Sequence, residues 1–311
     1  MRVVWQLLVV AAVALAGGQV IAAVQEDNPW LMCAVGLSSA ALALLGYAWV
    51  VRRTEHRAVA EVAVKGAAPA LGLGTLVGAA VFGLVVLQLA TNGYYEIEGR
   101  GSATGAVGLV GFMAAAAVTE ELLFRGVLFR VIEERTGTWI AMAATAVLFG
   151  AYHLANPDAT LWGALAVAIE AGGMLTAAYI ATRTLWVPIG VHFGWNFAAA
   201  GIFSSVVSGN GANQGLLETT ASGPELVTGG GFGPEGSVFS VLFCALATLA
   251  FLLLARRRGH LVSRRRCAEE RAKRRAGERT ERRSEGPAPE RAEGRADSRA
   301  GQPEATSTLP R

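Results

Sequence analysis

A polytopic transmembrane bundle of α-helices is the fold class this sequence predicts, and three observations predict it. Of 311 residues, 53% are hydrophobic and only 16% charged, with a mean hydropathy of +0.42; an ordinary soluble domain carries about 25% charge. Apolar runs of the roughly 20 residues that cross a bilayer recur from the first residues to about 255. Cations gather in alternate connections between those runs, as the positive-inside rule requires of a multi-pass chain.

Eight stretches are predicted to span, at about 3–24, 29–51, 66–90, 104–124, 138–154, 160–181, 186–206 and 237–255. The first carries Arg2 and small residues near Ala22 and Ala23, the pattern of a signal peptide, but its apolar run is long for one, and it reads as a retained helix. With the N-terminus inside, the cytoplasmic connections hold Arg52, Arg53, Arg57 and Lys65, then Arg125, Arg130 and Arg135, then Arg183, then Arg256, Arg257 and Arg258. The opposite connections hold only Arg100 and are otherwise acidic or polar, at 26–27, 96–98 and the Gly-rich 208–236. An N-in, C-in bundle of about eight spans follows, with 1–255 as the transmembrane domain. A helical bundle also leaves no unpaired backbone groups facing lipid.

Charge is split along the chain. Residues 1–255 hold 10 Lys and Arg against 15 Asp and Glu, whereas 256–311 hold 17 against 9. That last stretch has almost no large apolar residues and reads as a disordered basic cytoplasmic tail, solvated and topogenic, with no nucleic-acid partner expected. Cys33 and Cys244 lie in apolar runs and Cys267 in the tail, so neither a disulfide framework nor a CxxC metal motif is available. Arg outnumbers Lys by 25 to 2, a bias expected of a GC-rich bacterial genome, and a bacterial cell membrane is the expected location.

Ionisable groups at membrane depth are costly and usually face the bundle interior, so they mark where function is sought. Glu121 and Arg125 are four apart, the spacing of a helix ion pair, which leaves Glu120 as the freer carboxylate. The bland reading assigns both acids to the charged helix end with Arg130 and 133–135. Phe149 lies one turn before His153 and can wall one side of its imidazole. His192 and Asn196 bring two hydrogen-bonding groups to one face of an apolar helix, either as a site or as an interhelical clamp. If the chain reverses at Thr136-Gly137, Glu120 lies 17 residues before the turn and His153 16 after it. Antiparallel helices then carry both to one level, roughly 25 Å from the turn. Asn156-Pro157 is expected to break the fifth helix inside the membrane, and the cavity is expected to open toward the cytoplasmic half. Glu170 is a further intramembrane acid, placed either in the lining of the same cavity or, as the more expected reading, against a polar neighbour with which it pairs.

Taken together, E-E-x-x-x-R at 120–125, F-x-x-x-H at 149–153 and H-x-x-x-N at 192–196, in this order on separate apolar helices, resemble the CPBP (Abi) family of type II CAAX prenyl endopeptidases and bacteriocin-processing intramembrane proteases. The resemblance covers about 60–206. It implies an intramembrane endopeptidase acting on a lipidated, CAAX-type, or membrane-associated peptide, with membrane lipid as its surroundings. It implies that Glu120 and His153 activate water while His192 and Asn196 polarise the scissile carbonyl, with Glu121, Arg125 and Phe149 orienting them. The implied cofactor is none or Zn²⁺, the latter on Glu120, His153 and His192 with one position open. A metal-independent glutamic mechanism is the preferred expectation, since the H-E-x-x-H helix is missing. Two other classes stay open at this level: a non-catalytic membrane scaffold or immunity protein, and a proton-coupled transporter. The absence of duplicated halves weighs against the transporter.

Overall fold

The computed structural model describes residues 2–24, 28–211, 213–269 and 271–273. Helices α1 (Arg2–Val24), α2 (Pro29–Glu55) and α3 (Ala67–Thr91) come first, followed by a strand, β1 (Tyr95–Arg100). Then come α4 (Ala103–Thr136), α5 (Thr138–Ala155) and α6 (Leu161–Thr182), and α7 over 186–202. A second strand, β2 (Leu217–Ala221), precedes α8 (Val238–Arg257). Seven of these helices are long and apolar enough to cross a membrane. The exception is α7, eleven α-helical residues followed by six in π geometry, shorter than the predicted 186–206. Protein rather than lipid surrounds it, since Ile189, Val191, Trp195 and Ala199 are all buried.

Helix starts follow local chemistry. Asn28 Oδ1 accepts from the N–H groups of Trp30 and Leu31 and stands before Pro29, whose missing N–H costs nothing in a first turn. Ser102, Thr160 and Ser237 cap α4, α6 and α8 in the same way. The acidic positions 26 and 27 lie outside the described residues.

Helix packing is set by small residues, as expected where lipid is as apolar as leucine and close backbone approach supplies the attraction. Helix α7 lies so tightly on α3 that a Cβ at Gly78 would stand 2.0 Å from the Val191 carbonyl oxygen, and one at Gly194 would stand 2.1 Å from that of Thr75. Neither backbone can yield cheaply. Gly78→Ala is therefore expected to lower the thermal unfolding midpoint in detergent clearly. Gly83→Ala, where a Cβ meets nothing within 4 Å, is expected to leave it within the ±0.5 kcal/mol typical of neutral surface changes. Equal midpoints for the two variants would contradict this packing.

Polar contacts tie several helix ends together at one pole. Arg2 pairs with Glu134, Arg130 with Glu55 at 2.7 Å, and Arg183 with Glu133 at 2.5 Å. The start of α1 and the end of α8 thus share the cation-rich side, in keeping with the N-in, C-in expectation. Residues 260–262, within the stretch expected to be a disordered tail, also contact this pole. The His260 carbonyl accepts from Arg183, and Val262 exchanges hydrogen bonds with Thr138 at 3.0 and 2.9 Å. Residues 274–311 of that stretch lie outside the described residues.

Between α2 and α3, Glu61 is 4% exposed, paired with Arg57 at 2.6 Å and accepting from the Tyr47 hydroxyl at 2.7 Å. Burial pushes its carboxyl up, but hydrogen bonds from Arg57, the backbone and Tyr47 outweigh that and hold it below the usual carboxylate range. A depressed folded-state value stabilises the fold above the unfolded value, near about 4.3, and the contribution is lost as pH falls through the folded one. Glu61→Gln should accordingly flatten the acid limb of a stability-versus-pH curve in detergent. An unchanged limb would remove this contribution.

At the opposite pole β1 and β2 form an antiparallel ribbon, Tyr95 opposite Ala221 and Ile97 opposite Thr219, with a bulge between Ile97 and Gly99. Its second strand lies within the Gly-rich stretch, which the sequence presents as loop.

Candidate active site

Three helices bring the singled-out residues together. Helix α4 runs unbroken to Thr136, as the level-matching argument requires, but eight residues directly after Glu121, Leu122–Phe129, are in π geometry. Helix α5 ends in a single 3₁₀ turn, His153–Ala155, and Asn156-Pro157 breaks it as expected. Glu120, Phe149, His153, His192 and Asn196 all line one cavity of about 980 Å³.

Glu121 and Arg125 are not in its wall. Both are almost wholly buried, joined by a 2.8 Å ion pair. Arg125 also donates to Thr176 Oγ1 at 3.2 Å and to the Ala171 carbonyl at 2.5 Å, and its guanidinium lies 4.7 Å over the Phe149 ring. Buried ions need such partners. The same Glu121 oxygen meets His192 Nδ1 at 3.0 Å, so the carboxylate fixes Nδ1–H as donor and turns Nε2 away from Glu121. That Nε2 lies 3.8 Å from Glu120 Oε2, beyond hydrogen-bond distance. Glu120 Oε2 has no hydrogen-bond partner among the described residues.

His153 Nδ1 lies 2.8 Å from the Phe149 carbonyl oxygen, which can only accept. Nδ1 therefore carries a proton, and in the neutral ring Nε2 is the nitrogen that can accept. Phe149 packs on both imidazoles, with ring centroids 4.7 Å from His153 and 6.2 Å from His192. It thereby touches both histidines and the Arg125 guanidinium.

Four features of the site bear on those expectations. Its lining extends away from the cation-rich pole, to Gly18 and Ile21 at the far end of α1, Pro29 and Met32 at the start of α2, and Gly105 in the first turn of α4. The lining thus reaches the side opposite the one expected, while Arg125, one turn nearer the cation-rich pole than Glu121, is buried against α6. Glu170 also lines the cavity, in a π segment of α6, Ala168–Leu175. Its Oε1 has no hydrogen-bond partner among the described residues, contrary to the expected pairing.

Third, Glu235 is a site residue that sequence reasoning missed. It sits in the Gly-rich stretch, 4% exposed, accepting from Trp195 Nε1 and from both the N–H and the hydroxyl of Ser208, each at 2.6 Å. Ser208 meets it from a left-handed backbone, φ 49°, that non-glycine residues rarely adopt. Fourth, no three of the described His, Cys, Asp and Glu residues are gathered as a ligand set for a metal ion. As placed, the described donors do not fit a bound Zn²⁺.

An integral multi-pass membrane protein with a buried acid and two histidines opening on an internal cavity is the class that fold and site define. Residues 102–198 match the family model for Rce1-like proteins, described as type II CAAX prenyl endopeptidase Rce1-like. The match runs from the cap of α4 into α7, includes all three motifs, and supports assignment of the chain to the CPBP/CAAX protease family. No curated protein and no solved structure matches the chain.

Proposed function

We propose that this chain is an intramembrane endopeptidase that hydrolyses a peptide bond of a lipidated or membrane-associated peptide, with Glu120 as general base. The observation that carries the reading is the contrast between neighbours: Glu121 lies outside the cavity wall, its Oε1 bonded to Arg125 and His192, while Glu120 lines the cavity and its Oε2 makes no hydrogen bond among the described residues. A water held between Glu120 and His153 Nε2 gives its proton to Glu120, and its oxygen bonds to the scissile carbonyl carbon. His192, donating Nδ1–H to Glu121, acts as imidazolium and donates Nε2–H to the developing oxyanion. Asn196 adds an amide N–H. Collapse breaks the C–N bond, and Glu120 returns its proton to the leaving amine.

The test is mass-spectrometric detection of products after the purified, detergent-solubilised protein is incubated with a prenylated CAAX reporter and with a mixed peptide library. New termini at a defined bond are expected. Folded protein that cuts neither set would overturn the proposal and favour a non-catalytic scaffold.

A further inference from the structure

The cavity has a second polar end that the hydrolytic step does not use. Glu170 is 3% exposed and lines the cavity with an orphaned Oε1. Glu235 lies near enough to act on it electrostatically, as it does on Cys244 of α8. Three donors already satisfy Glu235, from Trp195 and Ser208, which leaves Glu170 as the acid without such partners. The cavity wall includes three glutamates and two histidines but neither lysine nor arginine. A carboxyl buried without a partner is costly, and a cation entering the cavity removes that cost.

The geometry points to Glu170, beside Glu235, as a specificity site for a basic side chain of the substrate peptide, a lysine ammonium or arginine guanidinium held near the scissile bond. The inference rests on the proposed hydrolysis for the word substrate, but not for the binding itself. Trp195 links the two functions: it bonds Glu235 and lies on α7 between His192 and Asn196. A cation seated at this end therefore shares one cavity with His192 and Asn196.

The test uses the full chain in detergent with Glu120→Gln to block turnover. Fluorescent apolar peptides, each with one lysine replaced in its pair by norleucine and the position scanned, are titrated by anisotropy. At one position the lysine peptide should bind about tenfold tighter, the size of one good charge-assisted contact. Adding Glu170→Gln should bring that ratio to near one without lowering the unfolding midpoint, since glutamine keeps the volume and removes the charge. A ratio near one at every position, or a preference that survives Glu170→Gln, would overturn the inference. Cleavage of both peptides by the unmutated protein with equal binding defeats the specificity site alone. Preferential lysine binding with no cleavage of either defeats the hydrolysis reading alone.

Discussion

Glu120→Gln is expected to reduce the cleavage rate by about 10²–10⁴-fold, the range a positioned general base contributes, while leaving unfolding and substrate binding nearly unchanged. Glutamine keeps the shape of the side chain and one acceptor oxygen but cannot take a proton from water. The fold should tolerate it, because Glu120 Oε2 makes no hydrogen bond whose loss would be felt. An unaltered rate would show that the base lies elsewhere. A lost rate accompanied by a collapsed midpoint would show that Glu120 holds the structure.

Arg125→Met carries the largest expected effect on stability. It removes the only guanidinium bonded to Glu121 among the described residues and leaves that carboxylate 0% exposed. Breaking a buried pair in this way costs about 3–5 kcal/mol. The double variant Glu121→Gln, Arg125→Met should recover much of that loss, because the buried carboxylate charge is removed together with the guanidinium that compensated it. Its activity should stay low, since the carboxylate that orients His192 Nδ1 is gone. Thermal unfolding in detergent reads the first effect and the reporter assay the second. A double variant no more stable than Arg125→Met would contradict the charge-compensation argument.

Much of this site was legible in the sequence because helical spacing constrains side chains at four residues' distance. Glu121 with Arg125, and Phe149 with His153, meet as that spacing requires. Counting from Gly137 carried Glu120 and His153 into the wall of one cavity. Hydropathy gave the helices because a bilayer demands length and apolarity together. What escaped has physical causes. The π segments after Glu121 and around Glu170 leave composition unchanged, so no periodicity reveals them. Glu235 comes from an irregular Gly-rich stretch, and only tertiary contact with Trp195 and Ser208 reveals it as a cavity residue. The reach of the cavity toward the far ends of α1 and α2 was not legible either, because nothing in the spacing shows that Arg125 turns onto Thr176 and Ala171 rather than into the cavity wall.

The central claim is that Glu120 hydrolyses a peptide bond within this bundle without a bound metal. The most direct measurement follows product formation from a prenylated or membrane-associated reporter, with unmutated protein and Glu120→Gln side by side, each with and without a strong chelator. The account predicts cleavage by the unmutated protein at the same rate in both conditions and almost none by Glu120→Gln. Equal cleavage by the two proteins, or activity lost to the chelator and restored by Zn²⁺, would contradict it.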